Sequence, residues 1–244
     1  MSGAGADDTE DSSGASASGV ARALALVRHP AVRNAGFAVA AVLVAVLIVV
    51  AGWAVPPNNG VIATDRLGPE DGVAVTDYVA HAKTTLQGND KDQRWALVSF
   101  TAGITAEQIP GFTSGVRVSE VVFHIYIPGV ATPIVTVDVP AGDAAAVDSE
   151  KAAAYQVDSL TAYDDRSSAV KKVVTSRLRA DCACVVGLVV RTPLDQLRNL
   201  AAHSGVRAVE ALPADASTFA VAPLLPEQQD HVGPGTDGAP VPDN

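Results

Sequence analysis

The sequence predicts an α+β protein in which one N-terminal transmembrane helix precedes a folded domain. Two observations carry this prediction. Residues 35–55 form a run without a charged side chain, and residues 67–225 alternate between helical and strand patterns of apolar residues. A run of this length can cross a hydrocarbon core of about 30 Å as a helix, whereas the alternation is typical of a mixed fold. The chain is therefore expected at a membrane.

Residues 35–55 are expected to be an uncleaved signal anchor. The run exceeds the roughly 7–15 apolar residues of a signal peptide, so cleavage is disfavoured. Trp53 lies where an interfacial aromatic ring belongs, and Pro56 and Pro57 end the helix just outside the bilayer.

The orientation follows from the basic residues beside this run. Lys and Arg close to a membrane span are retained on the cytoplasmic side. Three arginines precede the run and one follows soon after it: Arg22, Arg28, Arg33 and Arg66. The N-terminus of this single-pass protein is therefore expected in the cytoplasm, and the domain is expected outside the cell membrane.

Composition divides the rest of the chain. Residues 1–34 are predicted to be a cytoplasmic, disordered tail with a basic flank, and residues 56–66 a linker. Residues 67–225 are predicted to be the extracytoplasmic α+β domain, and residues 226–244 a disordered tail rich in Pro, Gly and acids.

The formal net charge of −10 disfavours a surface that binds nucleic acid.

The domain is predicted to open with an amphipathic helix of four or five turns. Pro69, Glu70 and Asp71 suit the first turn of a helix, and Gly88 is a typical stop. Between them the apolar residues recur at helical spacing: Val75, Val79, Ala82 and Leu86.

Residues 94–101, 116–127 and 133–139 carry strand patterns. Between the first two, Thr105 and Gln108 form a capping box for a short helix that Pro110 is expected to distort or end.

Residues 142–180 are predicted to be mostly helical, with a break at residues 164–166. Thr192 is a candidate N-cap for a further helix, with Pro193 in the first helical position. The remaining strand patterns fall at residues 185–191, 206–212 and 219–222.

One short turn occurs twice in the chain. Residues 114–117 and 204–207 both read Ser-Gly-Val-Arg, and Glu120 corresponds to Glu210. Two β-α-β units of this kind predict a ferredoxin-like domain or two half-domains that share a sheet; true duplication and convergence both remain open. The Arg and Glu side chains are expected on a solvated face, because strand alternation places them opposite the Val positions.

Residues 194–210 read LDQLRNLAAHSGVRAVE, a helix, a small-residue turn and a strand that closes on Val-Glu. This stretch resembles the final helix and strand of the inhibitor-like propeptides of subtilisin-type proteases, which are ferredoxin-type modules. The whole chain resembles uncharacterised single-pass envelope proteins of actinobacteria. The second resemblance implies a place in the cell envelope.

Motifs of most enzyme classes are missing from the sequence. It contains no Gly-x-Ser-x-Gly elbow, no Gly-rich phosphate loop and no His-Glu-x-x-His pair. We expect His124 to be a structural histidine, and Asp164 and Asp165 to mark a helix break rather than to supply paired carboxylates. No catalytic, cofactor-binding or metal-ligating residue is therefore predicted.

Cys182 and Cys184 are the reactive pair. In an extended strand their Cα atoms would be roughly 6.6 Å apart, at the long edge of disulfide geometry, so a disulfide requires a local turn. Outside the membrane such thiols are expected to be oxidised. Cys-x-Cys also offers too few ligands for a closed zinc site, and the pattern favours a structural disulfide over redox catalysis.

Together these features predict a membrane-anchored, extracytoplasmic binding or assembly module of the bacterial envelope rather than an enzyme. Its expected partners are the lipid bilayer and a protein or envelope polymer, with no cofactor and no nucleic acid. The alternative is a thiol/disulfide redox factor, or another envelope enzyme, that uses Cys182 and Cys184.

Overall fold

The computed structural model describes residues 65–243, which form a mixed α+β fold around a five-stranded antiparallel sheet. The elements in chain order are β1 (Asp65–Leu67), α1 (Val75–Thr85), β2 (Arg94–Ile104), a 3₁₀ turn (Ala106–Gln108), α2 (Ile109–Thr113), β3 (Arg117–His124), β4 (Ile134–Asp138), α3 (Asp143–Ser159), α4 (Asp165–Leu178), β5 (Val185–Thr192), α5 (Leu194–Ala201), β6 (Val206–Ala211) and β7 (Phe219–Val221). The predicted cytoplasmic tail, residues 1–34, and transmembrane helix, residues 35–55, lie outside the described residues. Within 65–243 no helix has the length and apolar character needed to cross a bilayer.

The strands of the main sheet lie in the order β4-β3-β5-β2-β6, and every neighbouring pair is antiparallel. The β2-α2-β3 unit passes over β5, and the β5-α5-β6 unit passes over β2. The two units therefore interlock, while β4, α3 and α4 form an insertion between them. A separate parallel pair joins β1 to β7.

Both faces of the sheet are covered, because the central strands carry apolar residues at successive positions. One face packs against α2, α3, α4 and α5; its fully buried residues include Phe100, Ile109, Phe123, Val174, Leu188 and Leu197. The other face lies under the β1–β7 pair and α1; its buried residues include Leu67, Leu97, Val189, Tyr78, Ala82 and Ala208. Removing each large side chain from water stabilises the fold by about 1.5–3 kcal/mol.

The predicted start of the first helix is wrong. Helix α1 begins at Val75, and Leu67 instead pairs with Val221 in the β1–β7 sheet. Leu67 is fully buried there, and Gly68 follows with φ of 107° so close to Ala222 that a Cβ would lie 1.6 Å from its carbonyl oxygen. These distant partners keep the chain extended, so the helix-starting residues 69–71 lie in a loop.

The local capping predictions mostly agree with the structure. The Thr105 N–H donates to Gln108 Oε1 at 2.9 Å. The break predicted at residues 164–166 comes earlier in the chain, because α3 ends at Ser159 and α4 begins at Asp165. Asp164 is the N-cap of α4, and its carboxylate accepts from the Ser167 N–H at 2.6 Å. Helix α5 differs by one position, because Pro193 rather than Thr192 is its N-cap.

The predicted solvated face for the repeated Arg and Glu residues is wrong for the second unit. The Glu210 side chain is buried beneath α1 and accepts hydrogen bonds from the Gly68 N–H at 2.6 Å and the Tyr78 hydroxyl at 3.0 Å. Strand alternation places Glu210 opposite the Val positions, but that second face is also covered. Burial, with the Glu210 carboxylate beside it, raises the pKa of Tyr78.

The C-terminal segment, residues 226–243, packs against the domain, although its composition predicts disorder. Val232 is buried and its N–H donates to the Val73 carbonyl at 2.9 Å. Further along, the Ala239 N–H donates to the Gly129 carbonyl at 2.8 Å. Pro- and Gly-rich composition predicts little regular structure, but backbone groups of such a segment can still pair with a neighbouring loop.

Candidate functional site

The cysteine pair lies in a tight turn between α4 and β5. Asp181, with φ of 54°, reverses the chain after the helix, and the Cys184 N–H donates to the Cys182 carbonyl at 2.9 Å. This turn brings the two Cα atoms to 5.3 Å, and the two Sγ atoms are in close contact. The local turn that a disulfide requires is therefore present.

Glu150 lies beside this turn, on the buried side of α3. It shares that side with Ala146, Ala153 and Val157, and only 3% of its surface is exposed. Its Oε1 atom is 3.8 Å from Cys184 Sγ.

The surroundings of Glu150 favour the protonated acid. Burial is the largest effect and, together with the negative charge of Asp181, it raises the pKa of Glu150 to about 7. Backbone N–H groups of Cys182 and Ala106 act in the opposite direction, and Glu107 adds a weaker upward effect. A group with this pKa can give or take a proton near neutral pH.

His124 faces the same cleft as the cysteines. The ring is 9% exposed, with Nδ1 3.2 Å from Glu227 Oε1 but without hydrogen-bond geometry, and Nε2 3.0 Å from Thr132 Oγ1. Burial lowers the pKa of His124, and the Glu227 carboxylate opposes that shift. Within the described residues, Nε2 of His124 is therefore hydrogen-bonded, Nδ1 is not, and the ring borders an open cleft.

The cleft has a volume of about 440 Å³ and is open to solvent. Its walls include residues 101–103 of β2, His124, Tyr126, Arg177, Cys182 and Glu227. Cys182 is half-buried at this wall, whereas Cys184 is 4% exposed. Both cysteines line the cleft, and Cys182 is the more exposed of the two.

Sequence reasoning did not identify Glu150 or Glu227 as residues near the cysteines. Glu227 comes from the C-terminal segment, whose packing no local pattern indicates. One pattern in the sequence could have indicated Glu150: an acid at this position interrupts the apolar spacing of Ala146, Ala153 and Val157 on α3. Asp164, predicted to mark a helix break, is the N-cap of α4.

Glu150, Cys182 and Cys184 form a potential ligand set, with ligand atoms within 4.8 Å of one another. Three donors are fewer than the four of a closed structural zinc site. A disulfide at this spacing also stabilises the fold only weakly. Closing a loop of three residues is expected to stabilise the folded state by about 1.6 kcal/mol, compared with about 3 kcal/mol for a loop of fifteen residues. Neither a metal site nor a purely stabilising disulfide explains why Glu150 is buried beside the cysteines.

A second surface lies at the end of the α3–α4 hairpin. Tyr155, Leu160 and Tyr163, which we term the hairpin tip, are 75%, 51% and 90% exposed. Lys171 Nζ donates to the Leu160 carbonyl at 3.1 Å, which helps to fix the loop.

An open cleft of about 340 Å³ adjoins the hairpin tip at Leu160. Its apolar wall is formed by Ala131, Pro133, Val157, Leu160, Ala162 and Val170. The charged residues that line it are Asp164, Arg166, Lys171 and Asp237. Apolar floors with polar rims are typical of surfaces that bind another molecule.

Comparison of the chain with models of known protein families, with characterised proteins and with solved structures gave no match.

Proposed function

We propose that this protein is a membrane-anchored, extracytoplasmic docking module of the bacterial envelope. In this proposal residues 35–55 hold the domain at the bilayer, and the hairpin tip binds a partner protein. The observation that carries it is the exposure of three large apolar side chains within nine residues, Tyr155, Leu160 and Tyr163.

The interlocked β-α-β units support a ferredoxin-like core for this module. Their order, read as β6-β2-β5-β3, is that of a split β-α-β arrangement, extended at one edge by β4. The glycines of the repeated turn match in backbone conformation, with φ of 86° at Gly115 and 95° at Gly205, whereas the preceding serines differ, because Ser114 has a positive φ of 49° and Ser204 does not. This likeness supports duplication, although a single turn shape also arises by convergence.

The exposed Tyr155 and Tyr163 side chains suit a protein partner. Tyr combines a large apolar surface with little side-chain entropy to lose, and it is enriched at binding hot spots. The cleft beside Leu160 can receive an apolar side chain from the partner. The net charge of −10 opposes binding to nucleic acid.

The tether strengthens such an interaction without adding contacts. Two proteins held at the same membrane meet at a raised effective concentration, so a modest surface can be sufficient. The hairpin tip needs only to supply specificity.

Site-specific photo-crosslinking of the full-length chain in native membranes tests this proposal. A photoreactive residue in place of Tyr163 should give one defined protein adduct. The same residue in place of Tyr126, which is 55% exposed but borders the cysteine cleft, should not give it.

A second substitution distinguishes docking from chance contact. Leu160→Ser should remove the Tyr163 adduct, whereas Tyr126→Ser should leave it unchanged. Equal adducts from both crosslinking positions, an adduct with a second copy of the chain, or a yield unaffected by Leu160→Ser would each contradict the proposal.

A further inference from the structure

We propose that the Cys182–Cys184 pair is a reactive disulfide that exchanges with dithiols of other envelope proteins, with Glu150 as the acid that protonates the departing Cys184 sulfur. This activity goes beyond the docking function. It rests on two observations: the two cysteines line an open cleft, and the buried Glu150 carboxyl group lies beside their sulfur atoms.

The exposure of the two sulfur-bearing residues sets the order of events. Cys182 is half-buried at the cleft, and Cys184 is buried against Glu150. An incoming thiolate therefore meets Cys182 first, and Cys184 becomes the leaving group. In thiol–disulfide exchange the rate depends on which sulfur is accessible and on how readily the other one leaves.

The exchange balances in two steps. A substrate thiolate forms a bond to Cys182 Sγ, the bond between the two cysteine sulfurs breaks, and its electron pair leaves on Cys184, which takes the proton of the Glu150 carboxyl group. The second thiolate of the substrate then attacks its own sulfur in the mixed disulfide. The electron pair leaves on Cys182, which takes a proton from water, and water also reprotonates Glu150. The substrate dithiol is oxidised to a disulfide, and the cysteine pair is reduced to the dithiol.

Glu150 is suited to this step by position and by protonation. Its Oε1 atom lies 3.8 Å from Cys184 Sγ, and no more than a small movement is needed for proton transfer. The charged groups that act on it are Asp181 in the turn after α4 and Glu107 in the 3₁₀ turn, and both favour its protonated form. Arg177, His124 and Glu227 line the cleft that the cysteines also border.

The test uses the full-length protein in detergent, with dithiothreitol as the probe. Aliquots are quenched with a maleimide of high mass, so that reduced chains separate from oxidised ones on a gel. The rate is divided by the concentration of dithiothreitol thiolate and followed from about pH 5.5 to 8.5. In the wild type this constant should fall at least tenfold as the pH rises through about 7, as Glu150 loses its proton.

Variants identify the group responsible. Glu150→Gln keeps the size and the accepting oxygen but has no acidic proton, so its constant should be at least tenfold lower at about pH 6 and flat with pH. Asp148→Asn, an exposed acid on the same helix, is the matched control and should behave as the wild type.

Asp181→Asn provides a second measurement that does not depend on the folding of Glu150→Gln. Asn tolerates the φ of 54° found at Asp181, and removal of this charge should move the fall in rate to lower pH.

The proposal is overturned if Glu150→Gln exchanges as fast as the wild type, if Asp181→Asn leaves the pH profile in place, or if the pair is reduced only when the protein unfolds. Loss of the Tyr163 adduct would not bear on any of these outcomes.

Discussion

Glu150 is a carboxylic acid at a position where α3 otherwise buries Ala and Val. Burial makes its charged form unfavourable, and the neighbouring Asp181 adds repulsion. The folded protein therefore holds a proton on Glu150 in a pH range where the unfolded chain has released it. Such a group links stability to pH.

Stability should fall as the pH rises from about 4.5 to about 7, the interval between the unfolded and folded pKa values of Glu150. In this window the folded state binds more protons, so the free energy of unfolding decreases with pH, by about 3 kcal/mol at most from this group. Urea unfolding of wild type and Glu150→Gln across this range measures the difference.

His124 makes the control for that measurement necessary. Its lowered pKa means that the unfolded chain binds the extra proton, so its contribution to stability increases as the pH rises. The wild type minus Glu150→Gln difference cancels this effect. A difference that is constant with pH would show that Glu150 has an ordinary pKa.

The cysteines provide a direct chemical prediction. Cys182 and Cys184 are in close contact in a turn suited to a disulfide, and the domain is expected on the oxidising side of the membrane. Mass spectrometry of unreduced protein should therefore find the peptide that contains both residues two hydrogens lighter than the dithiol. Free, alkylatable thiols in freshly isolated protein would contradict the pairing.

At the scale of elements, the C-terminal segment stabilises α1. Val232 packs in the cluster of Val75 and Tyr78, and its backbone pairs with Val73 at the approach to the helix. Removal of this segment exposes one face of α1 without changing the helix itself.

Deletion of residues 226–244 should make the amide protons of α1 exchange at least about tenfold faster, because burial of a Val side chain is worth at least about 1.5 kcal/mol. Deletion of residues 242–244 alone, beyond Ala239 and its bond to Gly129, is the control and should leave α1 protected. Equal protection of α1 in both deletions would show that the segment does not support it.

Elements with local causes were predictable from the sequence. The cap at Asp164 separates α3 from α4, and the alternating pattern of β2 and the apolar run of β5 gave the central strands. The predicted start of α1 was wrong because Leu67 and Gly68 are hydrogen-bonded to Ala222 and Glu210, which are distant in the chain. The preference of Pro69, Glu70 and Asp71 for the first turn of a helix is weaker than these long-range contacts.

The candidate site was predictable only as a pair of cysteines. Their spacing and the need for a turn follow from strand geometry alone. The approach of Glu150 depends on how α3, an insertion between the two β-α-β units, packs next to the start of β5. No spacing along the chain encodes this contact, so the acid could be recognised only as an interruption of an apolar stripe.

At the scale of the whole molecule, the orientation in the membrane is a separate prediction. Because arginines are concentrated before residues 35–55, the domain should lie outside the cell membrane and remain attached. Protease added to intact spheroplasts should remove it. Survival of the domain until the membrane is permeabilised would reverse the orientation.

The two candidate surfaces should also be separable in the intact protein. His124→Ala and Cys184→Ala alter the cysteine cleft but not the hairpin tip, so the Tyr163 adduct should form in both variants with the wild-type yield. Release of the domain from residues 35–55 should instead reduce the adduct, because the effective concentration is lost. Loss of the adduct in folded, membrane-bound His124→Ala protein would argue against a docking function.

The entry of the chain through β1 has a mechanical consequence. If residues 35–55 anchor the protein and a partner grips the hairpin tip, any tension between them enters the domain at Asp65, on the sheet face away from α3 and α4. The first contacts to bear this load are those of the backbone pairing of β1 with β7, which begins at Asp65. The buried Leu67 side chain and the bond from the Gly68 N–H to Glu210 follow. By accepting the Gly68 N–H hydrogen bond, Glu210 would then help to keep β1 attached to the domain when the chain is pulled.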